Sequence, residues 1–237
     1  MYPTPTVVTW QTVSEPPALA ADGLHLWYLA TDRGDAAPRR GLDWLSPEQR
    51  QRADAMRNPE VRNRYLHTQI GLRRILSGYL GHHPRDLVIA RANNGKPFVA
   101  DQPGGLEFNL STTEGLTLIG VGRHEPLGVD CERLRTRTTL DAIARRLFEP
   151  SIAAAIEAAG PDERIQLFHL AWTALEADVK ADGRGLFRSR PATAPAPTIR
   201  HLIPAAGYVA AVARIGLPPR RAWLTLMLRD DAEGTEG

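Results

Sequence analysis

Apolar and polar positions change period several times along the chain, and each change marks an element. Residues 1–23 are rich in Pro, Thr and Ala and predict an irregular arm. Leu24-His25-Leu26-Trp27-Tyr28-Leu29 predicts a first strand, followed by a polar loop through Arg40. Ser46-Pro47-Glu48-Gln49 is a helix start, with a serine cap, proline in the first turn and glutamine three residues after the cap. This short helix is expected to end near Arg57. Asn58-Pro59-Glu60 starts another, in which Val61, Tyr65, Thr68, Leu72, Ile75 and Tyr79 fall at helical spacing until Gly81 stops it. Extended segments follow at Leu87–Ala90, Phe98-Val99, Leu106–Ser111, Leu116–Gly122 and Leu127–Glu132, with a turn at Asn93–Pro97.

The second half begins with helices over Leu140–Phe148 and Ser151–Ala159. Glu163 to Asp182 is its longest helix, with Ile165, Phe168, Trp172, Leu175 and Val179 as the apolar stripe. Thr198–Ile203, Tyr208–Ile215 and Ala222–Leu228 predict three closing strands, and 230–237 a disordered tail. The pattern predicts an α+β protein of two similar subdomains in a pseudo-twofold arrangement. The expected lobes are 24–125 and 126–229, hinged near Arg123–Pro126, with functional groups at their seam.

Composition narrows the class. The 237 residues are 43% hydrophobic and 24% charged, enough for a core without disulfide or structural metal. A single cysteine, Cys131, excludes an internal disulfide, and alternation on its strand makes it a small buried residue. With no signal-like start and no long apolar run, no membrane span and a cytoplasmic location are expected. A net charge of +2 does not call for nucleic acid. Two of the 29 basic residues are lysines, Lys96 and Lys180. A compact, movable ammonium suits a phosphate where arginine's planar fork does not.

The candidate chemistry lies in Gly128-Val129-Asp130-Cys131-Glu132 and in Trp172–Lys180. On a strand, Asp130 and Glu132 share a face. On a helix, Glu176 and Lys180 stand one above the other. Packed together, the two elements would gather three carboxylates around one divalent cation, with oxygen-only ligands that suit Mg²⁺ or Mn²⁺. Taken alone, Asp130 and Glu132 also fit an exposed pair on an edge strand, and Glu176 with Lys180 an ordinary helical ion pair. The first long helical region carries several arginines, most of them expected on a solvated face. Arg73 and one of Arg57, Arg62 and Arg64 are the candidates for a phosphate-binding wall.

Four segments in order, Gly95-Lys96-Pro97, Phe108-Asn109-Leu110-Ser111, Gly128–Glu132 and Trp172–Leu186, resemble the successive motifs of the Sfp-type 4′-phosphopantetheinyl transferases. The resemblance implies transfer of the phosphopantetheine arm of coenzyme A to a serine of an acyl or peptidyl carrier protein, releasing 3′,5′-ADP. It implies Asp130, Glu132 and Glu176 as Mg²⁺ ligands, Glu176 as an aid to serine deprotonation, and Lys180 beside the pyrophosphate. Lys96 and Arg73 match nucleotide-phosphate positions, as does Ser111 for the 3′-phosphate region. Thr112 stands where the family usually has a histidine on that phosphate, and Leu175 where it usually has a lysine. Those two departures leave open a member with another acceptor or donor, or a non-catalytic binding protein. The duplicated lobes make a monomer the expectation.

Overall fold

The computed structural model describes residues 4–31, 38, 40–100, 102, 105–136 and 138–229. In chain order the strands are β1 (Thr6–Val7), β2 (Gln11–Val13), β3 (Leu24–Ala30), β4 (Ile89–Arg91), β5 (Pro97–Val99), β6 (Leu106–Thr113), β7 (Leu116–Arg123), β8 (Leu127–Arg133), β9 (Thr198–Ile203), β10 (Tyr208–Arg214) and β11 (Trp223–Leu228). The helices are α1 (Pro47–Asp54), α2 (Pro59–Leu80), α3 (Leu140–Leu147), α4 (Pro150–Ala158) and α5 (Pro161–Asp182). The helix starts follow the local chemistry expected. Ser46 and Gln49 form a reciprocal capping box on α1, and the Asn58 carboxamide accepts from Val61 N at the head of α2.

The strands build an α+β fold around two sheets. One runs β1-β9-β10-β8 and the other β2-β11-β3-β7-β6, while β4 and β5 form a separate hairpin. Strand alternation decides what each face meets. Leu24 and Leu26 of β3, with Leu116 and Leu118 of β7, face Leu127, Val129, Cys131, Leu202 and Val212 of the other sheet. On the opposite parity, Trp27, Ile119 and Val121 join Phe108 beneath Leu72, Ile75 and Leu76 of α2. The far side of the first sheet is covered by α5, with Ala177 and Ala181 on Ala211 and Ala213. The order of layers is therefore helix, sheet, sheet, helix, with one long helix on each outer face.

Two expectations change. The arm 1–23 is not wholly irregular, since β1 pairs with β9 and β2 with β11. The lobes also exchange strands, because β11 runs parallel to β3 of the first lobe. Strands from both sides of residue 126 therefore share each of the two sheets. The reason is hydrophobic: Leu226 is fully buried with Trp27 under α2. The proposed tail 230–237 and most of the loop before Arg40 lie outside the described residues.

Helix α2 is pinned to its sheet by a polar knot in a largely apolar layer. His25 and Trp27 share a face of β3. The Trp27 indole donates to the Tyr79 hydroxyl at 2.9 Å, and that hydroxyl pairs with His25 Nδ1 at 2.6 Å. Burial lowers the His25 pKa from 6.5 to about 4.

Helix α5 lies close on β8. A Cβ on Gly128 would collide with the backbone of Ala177 and Ala181, so no side chain larger than hydrogen fits between helix and strand.

Two stability effects follow. Gly128→Ala is expected to cost about 3 kcal/mol or more, because helix backbone rather than a side-chain tip must move; urea unfolding of the purified protein reads it. As pH falls from 6.5 toward 4, the unfolded chain protonates His25 while the folded chain does not. Stability is therefore lost on acidification, by about 3 kcal/mol at most from this group. The comparison is with His25→Gln, which keeps an acceptor but does not titrate. Equal loss in both proteins would contradict the assignment.

Candidate active site

The site forms where β8, the edge of one sheet, meets β6, the edge of the other. The two strands are not joined by a backbone ladder. Side chains on one face of β6 bridge them: Asn109 accepts from Val129 N at 3.0 Å, and the Ser111 hydroxyl donates to Asp130 Oδ1 at 2.8 Å. The same alternation that sends Leu106 and Phe108 toward α2 sends Asn109 and Ser111 toward β8.

Gly128, Asp130 and Glu132 share the face of β8 covered by α5, which runs antiparallel to the strand. Thr173, Ala177 and Ala181, one helical turn apart, form the buried seam. One residue before each lie Trp172, Glu176 and Lys180, which therefore form a parallel line along the same side of the helix. The Trp172 indole donates to Glu132 Oε1 at 3.2 Å. Lys180 Nζ donates to Asp130 Oδ1 at 2.6 Å and to Ser111 Oγ at 3.3 Å. Glu176 stands between these contacts. The structure thus brings Asp130, Glu132, Glu176, Lys180 and Ser111 together.

Asp130 is 3% exposed, and its Oδ2 is buried with no hydrogen-bond partner. Burial raises the Glu176 pKa, and the neighbouring charges of Asp130 and Glu132 add to the rise while Lys180 opposes it. Among the described residues, no group of three or more His, Cys, Asp or Glu side chains stands as a ready metal cage. The closed three-carboxylate arrangement anticipated from the spacing is not preformed. Like charges repel, and the cation on Asp130 here is the Lys180 ammonium.

Lys180 has a second neighbourhood. It lines a cleft of about 680 Å³ walled by α1, α2, the β4–β5 hairpin, β6 and the end of α5. Arg52, Arg91 and Lys96 also line it, beside Tyr65 and Gln69. The Arg52 guanidinium lies 5.4 Å from the Tyr65 ring centroid. Sequence reasoning missed Arg52, Arg91 and Tyr65 as wall residues. The available signal was weak: Arg52 lies one turn after Gln49, and Arg91 sits opposite Pro97 in the hairpin.

The other candidates are dispersed. Lys96 reaches the cleft, but its ammonium donates to Ala181 O at 2.7 Å and Leu127 O at 3.2 Å, tying the ends of α5 and β8 to the hairpin. Burial lowers its pKa, with Glu107 and Asp182 opposing. Arg73 points inward, is 3% exposed, and donates to Gln49 Oε1, Pro84 O and Leu87 O. It is absent from the cleft wall, since three acceptors around a buried guanidinium hold it inside. Arg57 is exposed and Arg64 half-buried, and neither lines the cleft. Thr112 is on the opposite face of β6 from Ser111, and its hydroxyl pairs with that of Thr117, which in turn pairs with Thr68 of α2.

The Glu176 carboxyl carbon, followed by ¹³C NMR in the metal-free protein, is expected to titrate above the ordinary glutamate value of about 4.3. Asp130→Asn should move the midpoint down, because it removes a neighbouring charge that raises it. An upward movement would contradict the arrangement.

A family model for the 4′-phosphopantetheinyl transferase superfamily matches residues 126–213, the stretch that carries Asp130, Glu132, Glu176 and Lys180. The chain is 32% identical over 225 residues to the 4′-phosphopantetheinyl transferase HetI of a Nostoc species, an alignment covering 88% of this chain and 94% of HetI. A putative 4′-phosphopantetheinyl transferase of Synechocystis is 29% identical over 163 residues, 68% of this chain and 65% of that protein. The 4′-phosphopantetheinyl transferase Sfp of Bacillus subtilis is 27% identical over 147 residues, 62% of this chain and 64% of Sfp. On these relatives and with this fold, the chain belongs to the 4′-phosphopantetheinyl transferase superfamily, whose members transfer phosphopantetheine from coenzyme A to carrier proteins.

Proposed function

We propose that this protein moves 4′-phosphopantetheine from coenzyme A to a serine hydroxyl of an acyl or peptidyl carrier protein, with Mg²⁺, releasing 3′,5′-ADP. The observation that carries the reading is the double position of Lys180. Its ammonium bonds Asp130 on the acidic side and also lines the cationic cleft. A nucleotide seated in the cleft beside Arg52, Arg91 and Lys96 would bring its pyrophosphate to that junction.

The donor set fits a hard cation. It is made of carboxylate oxygens, one of which, Asp130 Oδ2, is buried without a partner. Mg²⁺ commonly binds through one or two carboxylates, substrate phosphates and water, so a closed protein cage is not required. Asp130, Glu132 and Glu176 would hold it, and bound there it would neutralise pyrophosphate charge and orient phosphorus for in-line attack. Glu176, beside Asp130 and Lys180 at the junction, is the group that would accept the serine proton. The serine oxygen bonds to the phosphorus that carries the pantetheine arm, and the bond from that phosphorus to the bridging oxygen breaks. Lys180 stabilises the charge that develops on the departing oxygen. Ser111 holds Asp130 in place from β6.

A second reading, a family member with another donor, draws on Thr112. That side chain is uncharged and bonded to Thr117, so a 3′-phosphate would depend on the arginines of the cleft.

Mass spectrometry of an apo carrier protein incubated with coenzyme A, Mg²⁺ and this protein tests both. The expected result is a phosphopantetheine mass shift that chelation abolishes and that falls at least a hundredfold in Asp130→Ala and Glu176→Ala. Asp130 and Glu176 serve the test better than Lys180, whose loss would leave Asp130 buried and uncompensated. Faster transfer from 3′-dephospho-coenzyme A than from coenzyme A would favour the second reading. No transfer across a broad carrier panel, with no coenzyme A binding by calorimetry, would sink the first.

A further inference from the structure

We infer that Trp172 is a positioning residue for the Glu132 carboxylate and thereby sets the affinity of the acidic site for a hard divalent cation. This inference rests on the metal-dependent reading given under Proposed function.

The destination of the indole N–H is the starting point. Trp10 and Trp223 donate to the backbone carbonyls of Pro204 and Pro218, and Trp27 to the Tyr79 hydroxyl. In those three the one donor is satisfied by an uncharged oxygen. Trp172 instead donates to a carboxylate oxygen, that of Glu132, on the strand that carries Asp130. An indole is a donor only. It fixes one oxygen of Glu132 without adding a positive charge that would compete with a metal ion, as lysine or arginine would.

The indole is itself held. It lies stacked on Phe168 at 6.1 Å between centroids, with the planes 11° apart. Phe168 is fully buried and meets Phe148 at 5.6 Å. These rings belong to the core cluster that α3, α4 and the first half of α5 build together, with Leu140, Ala144, Ala153 and Ile156. The stack restricts where the indole N–H can point. A long, half-exposed glutamate near the end of β8 thus gains an orientation from a hydrophobic cluster that otherwise makes no contribution to the chemistry. Along α5, three successive turns present a neutral donor, a carboxylate and an ammonium to the acids of β8. Trp172 fixes Glu132, while Ser111 and Lys180 fix Asp130.

Such outer partners of metal ligands typically change metal affinity by about tenfold or more when removed. The test uses Mn²⁺ as the probe, titrated by calorimetry into the full-length protein with coenzyme A present. Trp172→Phe is expected to weaken Mn²⁺ binding about tenfold. It should raise the Mg²⁺ concentration that half-saturates transfer while leaving kcat at saturating Mg²⁺ within about twofold. Added to Glu132→Gln, the same change should have no further effect on Mn²⁺ affinity, because it acts through Glu132. Trp172→β-(3-benzothienyl)alanine, which keeps the fused ring and its stack but lacks the N–H, separates positioning from packing and serves if the phenylalanine variant does not fold. Wild-type Mn²⁺ affinity in the benzothienyl protein overturns the inference alone. Absence of Mn²⁺ binding by the wild-type protein with coenzyme A overturns the metal reading, and the inference with it.

Discussion

Everything at the site depends on how closely α5 lies on β8. The contact is backbone on backbone at Gly128, where a Cβ would strike Ala177 and Ala181. Small residues continue the approach, with Ala177 and Ala181 seated on Ala211 and Ala213. Close packing of this kind leaves little freedom of tilt. The next residues outward on each element therefore meet at hydrogen-bond distance: Asp130 with Lys180, and Glu132 with Trp172. A bulkier seam would lift Glu176 and Lys180 away from the strand and leave two separate charged patches.

The second condition is the gap between the sheets. Sheet edges are normally paired or covered, yet β6 and β8 meet through side chains alone. Asn109 satisfies Val129 N, Ser111 holds Asp130, and the Lys96 ammonium closes the carbonyls of Leu127 and Ala181. Polar side chains can thus stand at the seam without being orphaned, and a cleft can open beside it. The cost is that groups which look available for ligand are partly committed to structure. Lys96 is both strut and cleft wall, and Asp130 is neutralised by Lys180 in the absence of other cations.

The two outer layers divide the work. Helix α2 and its sheet form the more insulated half, closed by the Tyr79, His25 and Trp27 knot and by Arg73 tying α1 to the 84–87 segment through Gln49. Helix α5 forms the chemical half, with α3 and α4 packed against its beginning. A further ion cluster locks the chain after α5, where Arg184 and Arg190 both pair with Asp178 and Asp182. That cluster steadies the glycine-flanked rim of the cleft at Gly183 and Gly185.

The sequence by itself determined the elements and their inward faces. Period-two and period-3.6 patterns, the Ser46 and Asn58 caps and the turn glycines act within a few residues, so β9 and α2 could be bounded closely from the text of the chain. It also determined which carboxylates share a strand face and that Glu176 and Lys180 share a helix edge. Tertiary structure decided the rest, because it depends on contacts between residues far apart in sequence. It sent β11 back beside β3, where Leu226 joins Trp27 under α2. It turned Arg73 inward and put Arg52, Arg91 and Tyr65 on the cleft wall, a choice that no local charge pattern distinguishes among so many arginines. It made Trp172, which sequence alone assigns to the core, the donor to Glu132. And it set the separation of α5 and β8, which rests on the missing side chain of Gly128 meeting the backbone of a helix some 50 residues away.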